Sequence, residues 1–308
     1  MPTARRLVVF TDLDGTLLDH DSYSFDAASE TLALMRQARV PLILCSSKTR
    51  REIEYLRRRL DCSHPFVIEN GAAVFIPLGY FPFTIAGTRR RDRYEVLEHG
   101  RPYKEVVEVL HRTAARFRAA VSSFSTMSVR EVAEACSLSL SEAKRARCRE
   151  YDEPFRLVGA TAAARDRFCR ALSRAGLQCV RGGRFDHVTG CADKGTGVLA
   201  LQSLYRRAIG NVLTVGLGDS GNDLAMLRAV ELPVIVRNPA AGATASLRRQ
   251  LPMARVSRFR GPAGWAETMD LILTEQGVGR RPVPMTQGTV RSRGARERRS
   301  AAERTGNA

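Results

Sequence analysis

The sequence predicts an α/β protein: a Rossmann-like parallel-sheet core interrupted by an inserted α+β domain. Three observations carry this expectation. Apolar runs without alternation recur at residues 7–10, 42–45 and 234–236, and a fourth at 212–215 is interrupted only by Thr214, as strands buried on both faces of a parallel sheet require. Segments of helical period and length follow most of them. The strand–helix rhythm breaks near residue 84 and returns near 188, with shorter, more charged segments between, which marks an insertion of about a hundred residues.

In chain order, the first strand (7–10) is followed by a helix over 27–37, a strand at 42–45 and a helix over about 49–60. Thr49 and Glu52 have capping-box spacing at the start of that helix. Short strands at 66–68 and 73–76 flank Glu69-Asn70-Gly71. Asn-Gly is a strong hairpin-turn signal, although Asn70 is also a candidate to face a substrate. A helix over 103–118 belongs to the insertion. Beyond 188 come a helix from Lys194, a strand at 212–215, a helix from Asn222, a strand at 234–236 and a closing helix over 264–273. The expected division is core 1–83, insertion 84–188, core 189–276 and a disordered basic tail 277–308. The tail holds eight Arg against two Glu with no apolar period, a composition that cannot bury enough surface to fold.

Composition narrows the class. The 308 residues are 44% hydrophobic and 26% charged, ordinary for a globular chain. The longest apolar candidate, 66–83, is broken by Glu69, Asn70, Gly71, Pro77 and Pro82, so no membrane span is expected. Arg5 and Arg6 precede only four apolar residues, too few for a signal peptide, and the expected compartment is the cytoplasm. Seven cysteines without a C-x-x-C pair suggest reduced thiols acting as small apolar residues. The net charge is +17, and only Lys48, Lys104, Lys144 and Lys194 are lysines among the 49 cations. That charge attracts anions. With 6% aromatic residues and no reading motif, dedicated nucleic-acid recognition is not expected.

Four loops carry the chemistry. Asp12-Leu13-Asp14-Gly15-Thr16 directly follows the first apolar strand, where ligands gather in open α/β sheets. Two carboxylates two residues apart can share a hard cation such as Mg²⁺ while one attacks an electrophile. A calcium loop would need other residues than Thr16, Leu17 and Tyr23 at its fifth, sixth and twelfth positions; a structural acidic turn is the remaining alternative. In Cys45-Ser46-Ser47-Lys48-Thr49, Ser46 is the first residue past the second strand. Its hydroxyl suits a phosphoryl oxygen, while helix capping explains Ser47 or Thr49 equally well. Lys194 opens a helix after Asp193, where a cation opposes the dipole and asks for a compensating anion. Two of the four lysines, Lys48 and Lys194, thus flank these loops, and an ammonium neutralises phosphate as a point charge. In Gly216-Leu217-Gly218-Asp219-Ser220-Gly221-Asn222-Asp223, Asp219 is placed to ligate a metal, with Asp223 as its second-sphere partner or a further ligand.

Taken together, these loops resemble the four motifs of the haloacid dehalogenase superfamily: Asp12 to Thr16, Ser46, Lys194, and Gly218 to Asp223. The insertion between the second and third motifs is similar to that of members carrying a large cap domain over the site. Further strings resemble the mannosyl-3-phosphoglycerate phosphatase family: Cys45-Ser-Ser-Lys-Thr-Arg50, Ile68-Glu-Asn-Gly71, Phe75-Ile-Pro77 with Gly79-Tyr-Phe81, Tyr151-Asp-Glu-Pro-Phe155, and Gly182-Gly-Arg-Phe-Asp-His187. The resemblance implies a Mg²⁺-dependent phosphatase acting on a small, anionic, phosphorylated sugar derivative. It implies that Asp12 is the nucleophile, that Asp14 is the general acid and base, and that Ser46 and Lys194 bind phosphate. Mg²⁺ would sit on Asp12, the Asp14 carbonyl, Asp219 and Asp223. Arg184 and His187, just before the chain re-enters the core, are candidate contacts for the substrate's non-phosphate half, with Arg184 the first candidate cation for its carboxylate; structural roles explain them equally well. Two other readings compete: another capped sugar phosphatase or a phosphomutase, and a basic nucleic-acid-binding protein on a decayed scaffold, which predicts steeply salt-dependent binding.

Overall fold

All four apolar runs become neighbouring strands of one sheet. The computed structural model describes residues 5–180, 184–190, 192–240 and 242–278. The first part of the core comprises β1 (Arg6–Thr11), α1 (Ser29–Gln37), β2 (Leu42–Cys45), α2 (Arg50–Arg59), β3 (Phe66–Ile68), β4 (Ala73–Pro77), β5 (Arg89–Arg91) and β6 (Tyr94–Glu98). The insertion comprises α3 (Tyr103–Phe117), β7 (Val121–Ser123), α4 (Val129–Cys136), α5 (Leu140–Ala146), β8 (Asp152–Leu157), α6 (Ala162–Arg174), β9 (Gln178–Val180) and β10 (Asp186–Thr189). The chain returns through α7 (Lys194–Ile209), β11 (Val212–Gly218), α8 (Leu224–Ala229), β12 (Leu232–Arg237), α9 (Ala243–Gln250), β13 (Arg255–Arg260) and α10 (Gly261–Glu275).

The main sheet has the order β13-β12-β11-β1-β2-β3-β4-β6-β5. It is parallel from β13 to β3 and antiparallel from β3 onward. Period-two alternation sends Leu7 and Val9 of β1 into one apolar layer with Trp265 and Met269 of α10. Val8 and Phe10 enter the opposite layer with Val198 and Leu201 of α7. Covering both faces is what lets these strands be apolar throughout. A smaller antiparallel sheet, β7-β8-β10-β9, is built from the insertion, and α3 and α6 pack on it through Val106, Leu110, Phe168 and Leu172. The fold is therefore the expected α/β core with an inserted α+β unit.

Several details differ from expectation. The rhythm changes at 84, but β6 pairs with β4 from Ala73↔Glu98 to Pro77↔Tyr94, and β5 pairs with β6. The main sheet thus runs on to Glu98. Arg89-Arg90-Arg91 conceals a strand because an edge strand carries charge to deter further pairing. The same masking hid β13 at the opposite edge, whose sequence is RVSRFR. The Asn70 turn does join an antiparallel pair, yet it is buried, and Asn70 adopts a left-handed conformation at φ 58°, ψ 35°. Gly71 follows at φ +97°, and a Cβ there would lie 1.8 Å from the Asp193 carbonyl oxygen. Only glycine lets this turn press against the start of α7.

The seven cysteines are not all free. Cys169 of α6 and Cys179 of β9 are joined by a disulfide, because the helix turns back along the strand and brings their Cα atoms to 5.5 Å. Of the others, Cys45 is buried while Cys148 is exposed. Gly277 and Val278, assigned to the tail, close α10: the Val278 N–H donates to the Leu273 carbonyl at 2.8 Å, and its side chain packs on the core. The rest of the expected tail, 279–308, lies outside the described residues, as do Gly182 and Gly183. No described helix is long and apolar enough to cross a membrane.

One buried hydrogen bond ties α10 to the strand end that carries Asp12. The fully buried Trp265 donates its Nε1–H to Thr11 Oγ1 at 3.0 Å, and the Thr11 hydroxyl donates to the Asp12 carbonyl at 2.8 Å. Thr11→Val keeps the shape and removes the acceptor. Urea unfolding should show a loss of about 1–3 kcal/mol, the cost of stranding a buried donor; an unchanged midpoint would refute this role.

Candidate active site

The carboxyl ends of β1, β2 and β11 converge, and three of the four loops meet at a single buried cation. Lys194, at the first turn of α7, is fully buried. Its Nζ donates to Asp12 Oδ1 at 2.5 Å and to Asp223 Oδ1 at 2.6 Å. Burial works against the ammonium, but Asp12 and Asp223 outweigh it and hold its pKa above the ordinary lysine range. The anion that a cation at a helix start requires is thus supplied by two aspartates. Asp193 caps the same helix through Thr196 N–H at 2.9 Å.

The second anionic loop is organised by its own backbone. Asp223 Oδ2 accepts the N–H groups of Asp219 and Ser220, each at 3.0 Å. Asp219 in turn accepts from Asn238 Nδ2 and from Thr16 Oγ1 at 3.3 Å. Gly15, at φ +77°, lies so close that a Cβ would sit 2.6 Å from Asp219 Oδ2; the first loop needs glycine there to admit the Asp219 carboxylate. Asp12, Asp219 and Asp223 each offer a carboxylate oxygen within 4.8 Å of the others.

Such crowding is electrostatically incomplete. Burial, then Asp223, pushes Asp12 up to about 7. Burial, then Asp223 and Asp12, pushes Asp219 up to about 8. One lysine does not balance three buried carboxylates, and an all-oxygen donor set suits a hard divalent cation. With both Asp223 oxygens engaged by Lys194 and backbone N–H groups, Asp12 and Asp219 are the better-placed side-chain ligands. The Asp14 carboxylate, expected near the same ion, stands apart from this cluster and receives Lys48 Nζ at 2.9 Å.

The remaining predicted residues fall on two sides. Ser46 is buried at the end of β2, and its Oγ accepts the Lys48 N–H at 3.2 Å. Asn70 bridges the lobes: its Nδ2 donates to Asp152 Oδ2 at 3.4 Å, and its Oδ1 accepts from Asn222 Nδ2 at 3.3 Å. His187 Nδ1 lies 2.9 Å from Asp152 Oδ2. Arg184 is exposed. Arg184, His187, Asp14 and Lys48 line one cavity of about 160 Å³ between core and insertion.

Sequence reasoning missed the seam that creates this cavity. Buried Glu69 accepts the backbone N–H groups of Glu150, Tyr151 and Asp152 at 3.0, 2.7 and 2.7 Å. Arg149 Nη1 donates to the Ser47 carbonyl at 2.7 Å and to Asp152 Oδ1 at 2.8 Å. Nothing local in the sequence links residues 69 and 150. Asn238 carried a usable signal, since it directly follows an apolar strand on the same sheet edge.

Comparison with known proteins gives the family. Residues 9–78 and 176–252 match the family described as haloacid dehalogenase-like hydrolase. A glucosyl-3-phosphoglycerate/mannosyl-3-phosphoglycerate phosphatase of Methanococcoides burtonii is 40% identical, over 86% of this chain and 97% of its own length. The chain belongs to the haloacid dehalogenase-like hydrolases. A protein of the same description from Persephonella marina is 35% identical, over 87% of this chain and 98% of its own. Among solved structures, a phosphatase of the haloacid dehalogenase superfamily from Bacteroides thetaiotaomicron superposes with a TM-score of 0.62 at 18% identity, covering 90% of this chain and 97% of that one. The fold is that of the superfamily's phosphatases, and this family member is an enzyme, a phosphatase.

Removing the central cation should expose the strain it relieves. Lys194→Met leaves Asp12 and Asp223 buried without a counter-charge. Denaturant unfolding in the absence of metal should show a loss of about 3–5 kcal/mol, as for broken buried ion pairs; a loss below about 1 kcal/mol would mean the carboxylates are not held by this lysine.

Proposed function

We propose that this phosphatase hydrolyses 3-phosphoglycerate glycosides, mannosyl-3-phosphoglycerate and its glucosyl counterpart, through an aspartyl phosphate on Asp12. The observation that carries the proposal is the Lys194-centred cluster. Asp12 is the carboxylate at the end of the central strand, and Lys194 grips its Oδ1, which leaves Oδ2 to attack. The names of the full-length relatives support the substrate class. The pairing of glucosyl with mannosyl in those names widens the mannosyl expectation to both sugars.

In the first step Asp12 Oδ2 bonds to phosphorus, the bond from phosphorus to the glycerate oxygen breaks, and Asp14 delivers a proton to that oxygen. In the second, Asp14 takes a proton from water, whose oxygen attacks phosphorus and restores the Asp12 carboxylate. Lys194 Nζ and Ser46 Oγ neutralise and orient phosphoryl oxygens, since phosphoryl transfer depends chiefly on positioning and charge stabilisation. Mg²⁺, held by Asp12, the Asp14 carbonyl and Asp219 with Asp223 behind them, would neutralise further phosphoryl charge. His187 and Arg184 line the part of the cavity left for the substrate's organic half, and Asn70 stands behind it, sharing the Asp152 carboxylate with His187.

Phosphate release tests this reading. Asp12→Asn should abolish turnover. Asp14→Asn should lower kcat by about 10²–10⁴, the usual cost of losing a general acid and base, while calorimetry shows retained Mg²⁺ binding. Either variant turning over within tenfold of wild type would overturn its assigned role. A chelator should stop release and added Mg²⁺ restore it. Across substrates, the two glycosyl-3-phosphoglycerates should exceed mannose 6-phosphate and para-nitrophenyl phosphate by about 10²-fold in kcat/KM; equal rates would leave only a general phosphatase.

A further inference from the structure

We infer that Lys48, rather than Arg184, reads the carboxylate of the substrate's glycerate and so sets the preference for a phosphorylated glyceric acid over other phosphate esters. The inference rests on the substrate class proposed above. Lys48 stands two residues beyond Ser46, with its Nζ 2.9 Å from Asp14 Oδ1 and its side chain only 14% exposed. Its ammonium lies 5.1 Å from the Tyr23 ring centroid and lines the cavity that also contains Asp14, Arg149 and Arg184.

Covalent geometry then limits the choice of cation. In a 3-phosphoglycerate the ester oxygen sits on the third carbon and the carboxylate is the first. With C–C bonds of about 1.5 Å, the two groups are separated by roughly 3–5 Å. Asp14 serves that ester oxygen. A cation already touching Asp14 is therefore within reach of the carboxylate when the ester oxygen is in place.

Burial decides between the two candidates. Arg184 is exposed, and water screens an exposed guanidinium so that it discriminates weakly. Lys48 is largely withdrawn from solvent, where the presence or absence of a partner anion matters far more. Its present partner, Asp14, is the group that chemistry requires elsewhere, so a substrate carboxylate can take its place on the ammonium. Arg149 supports the exchange. It is buried beside the same loop, donates to the Ser47 carbonyl at 2.7 Å, and adds positive potential. Its Nε–H has no acceptor among the described residues, which leaves a donor in the same wall.

The test compares glucosyl-3-phosphoglycerate with the analogue whose carboxylate is reduced to a hydroxymethyl group. The readout is the ratio of their kcat/KM values, so that a general effect on chemistry through Asp14 cancels. The wild-type ratio should be about 10² or more. Lys48→Met should bring it to within about threefold of unity, and Lys48→Arg, which keeps the charge, should restore at least about a tenth of it. Lys48→Gln provides the same neutral comparison should the methionine variant fail to fold. Arg184→Ala should leave the ratio within about threefold of wild type. If both neutral Lys48 variants slow the two compounds equally and keep the ratio, Lys48 acts only through Asp14 and the inference fails. If the ratio collapses in Arg184→Ala instead, the carboxylate belongs to Arg184. A wild-type ratio near unity would reject the glycerate substrate itself, and this inference with it.

Discussion

The arrangement depends on one buried ammonium. Lys194 lies where three carboxylates from two loops converge, and each neighbour exists in its present form because of it. A fully buried charge is tolerated only when paired and hydrogen-bonded, and Lys194 meets both aspartates within 2.6 Å. Reciprocally, Asp12 and Asp223 could not approach each other without a cation between them. Placing it at the start of α7 makes the helix itself part of the site, because its position is fixed on one side by the Gly71 turn and on the other by the apolar layer beneath the sheet. The residual imbalance, three acids against one base, is the physical opening for a divalent metal.

The insertion is fastened by different means. Glu69, from the turn between two core strands, collects three successive backbone N–H groups of the inserted chain. Arg149 returns the contact by donating to the loop that carries Ser46 and Lys48. Arg50 adds an ion pair to Glu150 at 2.9 Å, and Thr49 Oγ1 donates to the Arg145 carbonyl at 2.9 Å. Each of these groups is specific in geometry, and together they set where Arg184, His187 and Asp152 stand relative to Asp14. The placement of Arg184 and His187 thus depends on a polar seam, whereas the Lys194 cluster depends on the sheet.

Arginine-rich composition has a structural side as well. Many guanidinium groups lie against aromatic rings, such as Arg57 over Phe66 at 4.6 Å and Arg145 over Tyr55 at 4.2 Å. They cover apolar surface while remaining charged. Arginine can serve in these places because a flat, weakly hydrated cation stacks well. The two lysines at the site do what a guanidinium would do poorly, filling a small space between oxygens.

The sequence by itself determined the core. Apolar runs that do not alternate are buried on both faces, so residues 7–10, 42–45, 212–215 (Thr214 apart) and 234–236 declared a parallel sheet, and the polar loops at the carboxyl ends of the first three declared the candidate site. Capping at Thr49 and the glycines of the Asp219 loop were equally legible, because they answer to local backbone geometry. The tertiary structure alone decided what depends on distant partners. Arginines mask strands β5 and β13, whose places at the two edges of the main sheet are set by the strands they extend. Asn70 read as a hairpin turn or a substrate-facing residue, and only the packing of Gly71 on Asp193 shows that the turn is buried. The disulfide, the Glu69 seam and the engagement of Asp14 by Lys48 each join residues that are separated in sequence, and no periodicity records such a meeting. Local preference writes the elements and their loops; only the packing of separate elements brings their side chains within bonding distance.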